Sequence, residues 1–303
     1  MKQPAPPRVF DSLTDLHRVF GLAPPNHPLV SCVDLSHVKV KENELGELFV
    51  LGFYKVAYKL HGSGQARYGQ QHYDFGEGGL VFTAPNQTFE SPAGVEARGV
   101  MLLFHPDLLL SYPLARKIRE YGFFDYAASE ALHVSEREKE TLLTVFRSLE
   151  EELNGRIDDS TQDVIVSQIA LLLNYSNRYY KRQFITRNAV NHDLLRSMEE
   201  LLSDYFDRGE AGVRGLPTVQ HVAEQLHLSP SYLSDMLRSL TGRSAQQHIH
   251  DKLIEKAKER LTTTDQPISE IAYDLGFEYA QSFSRLFKTK TSQSPLEFRR
   301  SFY

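Results

Sequence analysis

Two periodicities of apolar residues divide this chain. Between about 28 and 105, short apolar runs such as LFVLGFYKVAYKL and GLVFTAP are separated by turn-forming sequences such as HGSG, FGEGG and SPAGVE. After His105 the apolar residues recur with the 3.6-residue period of an α-helix. Strands first and helices afterwards predict an α+β chain with an antiparallel barrel or sandwich, and argue against a parallel βαβ architecture.

The first helical segment contains three predicted helices, at about 113–121, 135–154 and 160–184. Ser160, with Asp163 three residues later, is a candidate capping residue for the third helix. Apolar residues between Val164 and Tyr180 cover more than one face of that helix. A helix that is apolar nearly all round is buried on several sides, and the pattern leaves open whether this occurs inside one subunit or between two.

A helix–turn–helix pattern occupies residues 218–241. Thr218 is the capping residue of a short first helix, and Ser229 is the capping residue of the second. Pro230 stands at the first position of that second helix, where its missing N–H costs nothing, and Gly242 ends the helix.

The same pattern returns at 267–290, where Gly276 makes the turn. Aligning VQHVAEQLHLSPSYLSDMLRSLTG with ISEIAYDLGFEYAQSFSRLFKTKT places Ala223 over Ala272, and two helices joined by a short turn need a small residue where they cross. Residues 246–263, between the copies, predict one helix that packs on both. A single copy is also typical of an ordinary helical corner, whereas two copies around one spacer helix form a far more specific pattern.

The charges change this picture only locally. The chain has 34 basic and 39 acidic residues, a net charge of -5, so any contact with nucleic acid depends on a local patch. Up to Arg214 we count 23 basic and 29 acidic residues, and from Gly215 onward 11 and 10. The segment with the two helix–turn–helix patterns is therefore the less acidic one.

The segment from Pro217 to Phe302 closely resembles the DNA-binding domain of the AraC-type (AraC/XylS) bacterial transcription regulators. The resemblance lies in VAEQLHLSPSYLSDMLRSLTG, the spacer KLIEKAKERL, ISEIAYDLGFEYAQSFSRLFK and the terminal SPLEFRRSF. The N-terminal part resembles the regulatory domain of that family more loosely, in DFGEGGLVFTAPNQTFESP.

This resemblance implies a regulatory domain at 1–186 and an all-α double helix-turn-helix DNA-binding domain at 187–303. The first would hold a jelly-roll or cupin-like antiparallel β-barrel at about 28–105 and dimerisation helices at about 113–184. The function implied is a sequence-specific transcription regulator, not an enzyme, with no cofactor. The partners implied are double-stranded DNA, a small-molecule effector in the barrel, a second copy of the chain and RNA polymerase. The alternative is a β-barrel ligand-binding protein or enzyme whose helical tail makes protein contacts.

In this motif the second helix of each copy enters a major groove of DNA. The predicted outward residues are Ser231, Tyr232, Ser234, Asp235 and Arg238 in the first copy, and Gln281, Ser282, Ser284, Arg285 and Lys288 in the second. Arg285 and Gln281 are the strongest candidates, since arginine can bind guanine and glutamine adenine through two hydrogen bonds. Asp235 stands where the resemblance implies a basic residue. It either repels phosphate or accepts a hydrogen bond from cytosine N4, and the sequence leaves both open.

Aromatic residues of the predicted strands are candidates to line a ligand pocket, although they could equally fill the barrel: Phe53, Tyr58, Tyr68, Tyr73 and Phe82. No metal site is expected. His61, His72 and His105 are present, but no H-x-H sequence occurs on the strands, and Phe89 stands where metal-binding barrels place a histidine. No G-x-S-x-G nucleophile elbow occurs either.

Cys32 is the only cysteine, which excludes an intramolecular disulfide and favours a reducing cytoplasm. We expect Cys32 to be a small buried residue. No apolar run approaches the roughly 18 residues that a membrane span needs. The opening MKQPAPPRVF lacks the apolar segment of a secretory signal. A cytoplasmic protein without a membrane partner is the expectation.

Overall fold

Alternating apolar and polar residues form short strands in the first part of the chain. The structure is a computed structural model that describes residues 7–38, 48–60, 65–68, 71–74, 78–90, 98–156, 158–186 and 188–302. The chain divides into two units, Met1–Gln183 and Phe184–Tyr303. The described strands are β1 (Arg8–Phe10), β2 (Val30–Asp34), β3 (Leu48–Leu51), β4 (Tyr54–Lys59), β5 (Gln65–Tyr68), β6 (Gln71–Asp74), β7 (Gly79–Thr83), β8 (Thr88–Glu90) and β9 (Gly99–Phe104).

These strands form three separate sheets, in the orders β1-β3-β8, β2-β9-β4-β7 and β5-β6. The pairings are antiparallel except that of β1 with β3, which is parallel. No ladder joins one sheet to another within the described ranges, so the prediction of a closed antiparallel barrel is wrong. The strand β1 lies before residue 28, and at three residues it is too short to show an alternation. It nevertheless occupies one edge of β3, while β8 occupies the other.

Four helices accompany the sheets: α1 (Leu13–Val19), α2 (Leu114–Lys117), α3 (Glu136–Asn154) and α4 (Thr161–Thr186). The predicted helix at 135–154 is confirmed, and it begins with a capping box between Ser135 and Glu138. The predicted cap at the start of α4 is wrong in its donor of oxygen. The Asp158 carboxylate, not the Ser160 hydroxyl, accepts from the backbone N–H groups of Ser160 and Thr161, at 2.9 and 3.0 Å.

The nearly all-round apolar pattern of α4 is mostly explained by burial within one subunit. Leu172 is 0% exposed, and the apolar side chains of the neighbouring turns are buried with it. Two apolar side chains on this helix are exceptions, since Val164 is 37% exposed and Leu171 is 44% exposed. They are seven residues apart and therefore lie on the same side of the helix.

The second unit is helical throughout its described part. Its helices are α5 (Asn188–Asp207), α6 (Glu210–Arg214), α7 (Val219–Gln225), α8 (Pro230–Thr241), α9 (Ala245–Thr263), α10 (Ile268–Asp274), α11 (Ala280–Thr291) and α12 (Pro295–Arg300). The predicted spacer helix is confirmed as α9, and its residues Ile249, Leu253, Ala257 and Leu261 are all buried. No helix of the described chain is long and apolar enough to cross a membrane.

Candidate nucleic-acid interface

The helices α7 and α8 form the first helix–turn–helix unit. The Thr218 hydroxyl accepts from the His221 N–H, and the Ser229 hydroxyl accepts from the Tyr232 N–H, so both predicted caps are confirmed. Between the helices the Leu228 N–H donates to the Ala223 carbonyl at 2.9 Å. This bond closes the turn while His227 adopts a left-handed φ of 58°.

The helices α10 and α11 repeat this geometry. The Phe277 N–H donates to the Ala272 carbonyl at 3.0 Å, which matches the Leu228–Ala223 bond of the first unit. Gly276 takes the left-handed position with a φ of 91°. Both alanines are fully buried, as expected for small residues at a helix crossing. The two turns are therefore closed by the same backbone hydrogen bond.

One apolar core joins the second unit to the spacer helix. Leu253, Ala257 and Leu261 of α9 pack with residues of α10 and α11, together with Tyr205 and Phe206 of α5. Phe283 and Phe287 extend this core from the buried side of α11, with ring centroids 5.7 Å apart. Their burial fixes which side of α11 faces solvent.

The exposed side of α11 is cationic. Gln281, Ser282, Arg285 and Lys288 are all exposed, as the sequence predicts. The sequence of this helix, AQSFSRLFKTKT, contains no acidic residue. In the described part of the chain no ion pair engages the Arg285 guanidinium, which leaves its hydrogen-bond donors directed to solvent.

The exposed side of α8 is electrostatically balanced. Ser231, Ser234 and Asp235 are half-buried, while Arg238 is exposed. The Arg238 guanidinium lies 3.0 Å from the Asp235 carboxylate, one helical turn earlier. The only cation among the predicted reading residues of α8 is therefore paired with its only anion.

Tyr232 requires a correction, because its predicted place on the outward face is wrong. The side chain is 6% exposed, and its ring packs against that of Phe184 with centroids 5.2 Å apart. The helical period places this residue at the margin of the buried face. Its partner lies far away in the sequence, so the α8 pattern alone did not reveal the contact.

Sequence reasoning missed an ionic link across α9. Asp251 accepts from Arg243, just after α8, at 2.9 Å and from Lys290, at the end of α11, at 3.0 Å. Partial burial acts to raise the pKa of Asp251, but the bonds and charges of Lys290 and Arg243 outweigh it and hold the pKa below its usual range. This link connects the C-terminal ends of α8 and α11, and the two basic residues add positive charge beside them.

The aromatic ligand-lining candidates of the first unit divide by face. Phe82 contacts Phe123 and Phe124, with ring centroids 4.4 and 5.6 Å away, so it packs toward the helical layer. Tyr58 is buried, and Phe53 lies in a separate cluster with Phe49 and Leu51 of β3. Tyr68 and Tyr73 are strand positions whose side chains lie outside the described residues.

A cavity of about 600 Å³ opens along strand β2, away from the Phe82 ring cluster. Its polar lining includes His17, Asp34, Glu150 and Asn154. Inside it, Ser31 Oγ lies 2.9 Å from His17 Nε2. Cys32 also lines it and is half-buried rather than fully buried. Burial, together with the Glu150 charge, raises the pKa of the Cys32 thiol to about 12.

The metal-site candidates add little. His105 begins a short 3₁₀ turn, where its Nδ1 accepts from the Asp107 N–H at 3.2 Å. His61, and the side chains of His72 and Phe89, lie outside the described residues. Within the described ranges, no group of three or more His, Cys, Asp or Glu side chains is arranged to hold a metal ion.

Two protein-family models match the chain, one in each part. The model of an AraC-like ligand binding domain matches residues 50–170. The model of a helix-turn-helix domain matches residues 222–301, which include α8 and α11.

Several curated proteins are similar to the C-terminal part. The arabinose operon regulatory protein of Escherichia coli is 41% identical over 81 residues, 27% of this chain and 28% of that protein. The uncharacterized HTH-type transcriptional regulator YijO of the same species is 31% identical over 104 residues, 34% of this chain and 36% of that protein. The matched segment thus spans well under half of either relative.

A shorter relative is covered more fully. The regulatory protein SoxS of Salmonella typhimurium is 35% identical over 78 residues, which are 26% of this chain and 73% of that protein. Among solved structures, the C-terminal domain of AraT from Geobacillus stearothermophilus is 32% identical, with a TM-score of 0.32 and coverage of 36% of this chain and 84% of that chain. Together the two family models and the extent of the SoxS match show that this chain belongs to the AraC family of transcription regulators.

Proposed function

We propose that this protein regulates transcription by binding double-stranded DNA sequence-specifically through α8 and α11. The observation that carries the proposal is the pair of helix–turn–helix units with the same turn hydrogen bond, held on one spacer helix. Two reading helices on a shared core can enter successive major grooves on one side of a duplex. Binding of DNA is also the property that the helix-turn-helix family description supports.

Base reading is proposed to depend mainly on α11. Arg285 and Gln281 are exposed there, and both side chains can form paired hydrogen bonds to a purine edge. Ser282 and Lys288 would add contacts to bases or phosphates. On α8 the Arg238–Asp235 pair reduces the attraction to phosphate, so Ser231, Ser234 and Asp235 would contribute less free energy.

The first unit is proposed to sense a small molecule and to modulate DNA binding. The match to a ligand-binding family model over residues 50–170 supports this role, and the described sheets are consistent with a jelly-roll or cupin-like domain. We propose residues 1–186 as the sensing domain and 187–303 as the DNA-binding domain, in a cytoplasmic protein that contacts RNA polymerase. No cofactor and no enzymatic step are part of the proposal.

The fragment 187–303 tests the DNA-binding role. We expect it to fold and to bind DNA by itself, because the core formed by α5, α9, α10 and α11 lies within it. Circular dichroism measures its folding, and a mobility-shift titration on genomic fragments measures its binding. A folded fragment without sequence-selective binding would contradict the proposed function, and an unfolded one would contradict the boundary.

We also propose that the protein dimerises through the 135–184 helices, with the exposed apolar side of α4 in the interface. Leu171 is the appropriate test position, since Leu172 is fully buried and its substitution would disturb the core instead. We expect Leu171→Glu to convert the dimer to a monomer, because the charge would lose its hydration at the contact.

Analytical ultracentrifugation of the full chain measures this change. Val213→Glu is the matched control, because Val213 is an exposed apolar residue of the second unit. The control variant is expected to sediment as the wild type does. An intact dimer in Leu171→Glu would remove this side of α4 from the interface.

A further inference from the structure

Two lysines lie on the inner face of the four-stranded sheet. Side chains alternate along β4, so Lys55 and Lys59 share one face of that strand. Lys55 lies opposite Thr83 of β7 on one side and Leu103 of β9 on the other. Directly opposed residues of antiparallel strands lie on the same face, so these four side chains project in one direction.

The direction follows from the packing of Leu103. This residue belongs to an apolar cluster with Phe49 and Leu51 of β3 and Phe10 of β1. Phe82, on the opposite face of the sheet, packs toward the helices instead. Lys55 and Lys59 therefore project into the space between the two larger sheets, within the segment that matches a ligand-binding family model.

The surroundings of both lysines disfavour their charged forms. Lys55 is only 6% exposed. Burial, followed by the like charge of Lys59, lowers the pKa of Lys55 to about 7, and burial lowers the pKa of Lys59 to about 8. Whatever contacts the two amines make, they do not offset the loss of hydration. An ammonium group in such a place costs stability, and an anion bound beside it restores that loss.

We propose that Lys55 and Lys59 bind the carboxylate of a small organic acid, and that such an acid is the effector class of this regulator. The inference rests on the proposed sensing function of the first unit. The two lysines are four residues apart on one strand, about 13 Å between Cα atoms, and their flexible stems allow both amines to reach one ligand. Buried Thr83, opposite Lys55, offers a hydroxyl on the same face.

The cavity along β2 makes the opposite chemistry the natural competitor. Its lining includes the carboxylates of Asp34 and Glu150, and no lysine or arginine. A ligand bound there would be a cation. Acids and amines of the same shape therefore separate the two locations.

The experiment measures the melting temperature of the full chain with benzoate, hexanoate, benzamide, hexanamide, benzylamine or inorganic phosphate. We expect each carboxylate to raise the melting temperature above the value with its neutral amide, since a ligand that binds only the native state stabilises it. A larger shift with benzylamine or phosphate, or no difference between acids and amides, would overturn the proposal.

Variants supply a second, independent readout. We expect Lys55→Met to raise the melting temperature of the unliganded protein by several degrees and to abolish the response to carboxylates, because it removes a buried charge. A lysine with a purely structural role would lower the melting temperature when replaced. Lys59→Met is expected to weaken the response without removing it, and it serves if Lys55→Met does not fold.

Lys117→Met is the matched control, since Lys117 is an exposed lysine of α2. It is expected to keep the carboxylate response. A response retained in both Lys55→Met and Lys59→Met would overturn the proposal. DNA binding by the same wild-type preparation is measured separately, so a failure of the proposed function is distinguished from a failure of this inference.

Discussion

Replacing Gly276 with alanine is expected to destabilise the second unit by at least about 2 kcal/mol. Gly276 has a φ of 91°, a conformation that costs an L-residue about 1–2 kcal/mol. The added Cβ would also lie 2.7 Å from the Gly215 carbonyl carbon and 2.8 Å from the Leu216 nitrogen. Both atoms belong to backbone, so relief requires the segment before α7 to move.

Urea denaturation of the fragment 187–303, followed by circular dichroism, measures this loss. Gly242→Ala is the matched control. Gly242 also has a positive φ, 73°, but no atom lies within 4 Å of its Cβ position. We expect the control to lose only the conformational part, about 1–2 kcal/mol. Equal losses in the two variants would show that the close approach at Gly276 contributes nothing.

Arg285→Ala is expected to weaken binding to the preferred DNA site by about 1–3 kcal/mol. Phe283 and Phe287 anchor α11 in the core, so Arg285 faces away from them, and no described ion pair holds its guanidinium. If Arg285 binds a guanine through O6 and N7, the loss disappears on a site in which that guanine is replaced. A phosphate contact would instead weaken binding to all sequences alike and lower the salt slope by about one.

Titrations of wild type and variant on matched and substituted duplexes, over a salt series, distinguish these outcomes. Arg238→Ala is the control, because the Asp235 carboxylate already pairs with that guanidinium. We expect a smaller loss for this variant than for Arg285→Ala. A loss for Arg285→Ala that is the same on every duplex would contradict base reading by Arg285.

The helix–turn–helix units were predictable because their determinants are local. The caps Thr218 and Ser229, the small residues Ala223 and Ala272 and the turn glycine all act within about two dozen residues. Each turn hydrogen bond joins residues only five positions apart. The outward direction of Arg285 follows from the same short-range pattern. Tyr232 did not follow it, since the Phe184 ring that buries its side chain comes from the end of α4.

The first unit was less predictable, because its strands pair over long distances. Alternation along β4 shows that Lys55 and Tyr58 face opposite sides, but not which side meets the helices. That choice depends on Phe123 and Phe124, which follow the last strand. The parallel pairing of β1 with β3 was equally invisible, since three residues carry no period. The sequence therefore predicted strands there without predicting their sheets.

The central claim is sequence-specific recognition of DNA by α8 and α11. The most direct measurement is selection of binding sites by the full-length wild-type protein from a library of random DNA duplexes. The account predicts enrichment of one site in two parts, about one helical turn apart, with a guanine in one part whose replacement removes the effect of Arg285→Ala. A library that remains random after repeated selection, at low as well as moderate salt, would contradict it.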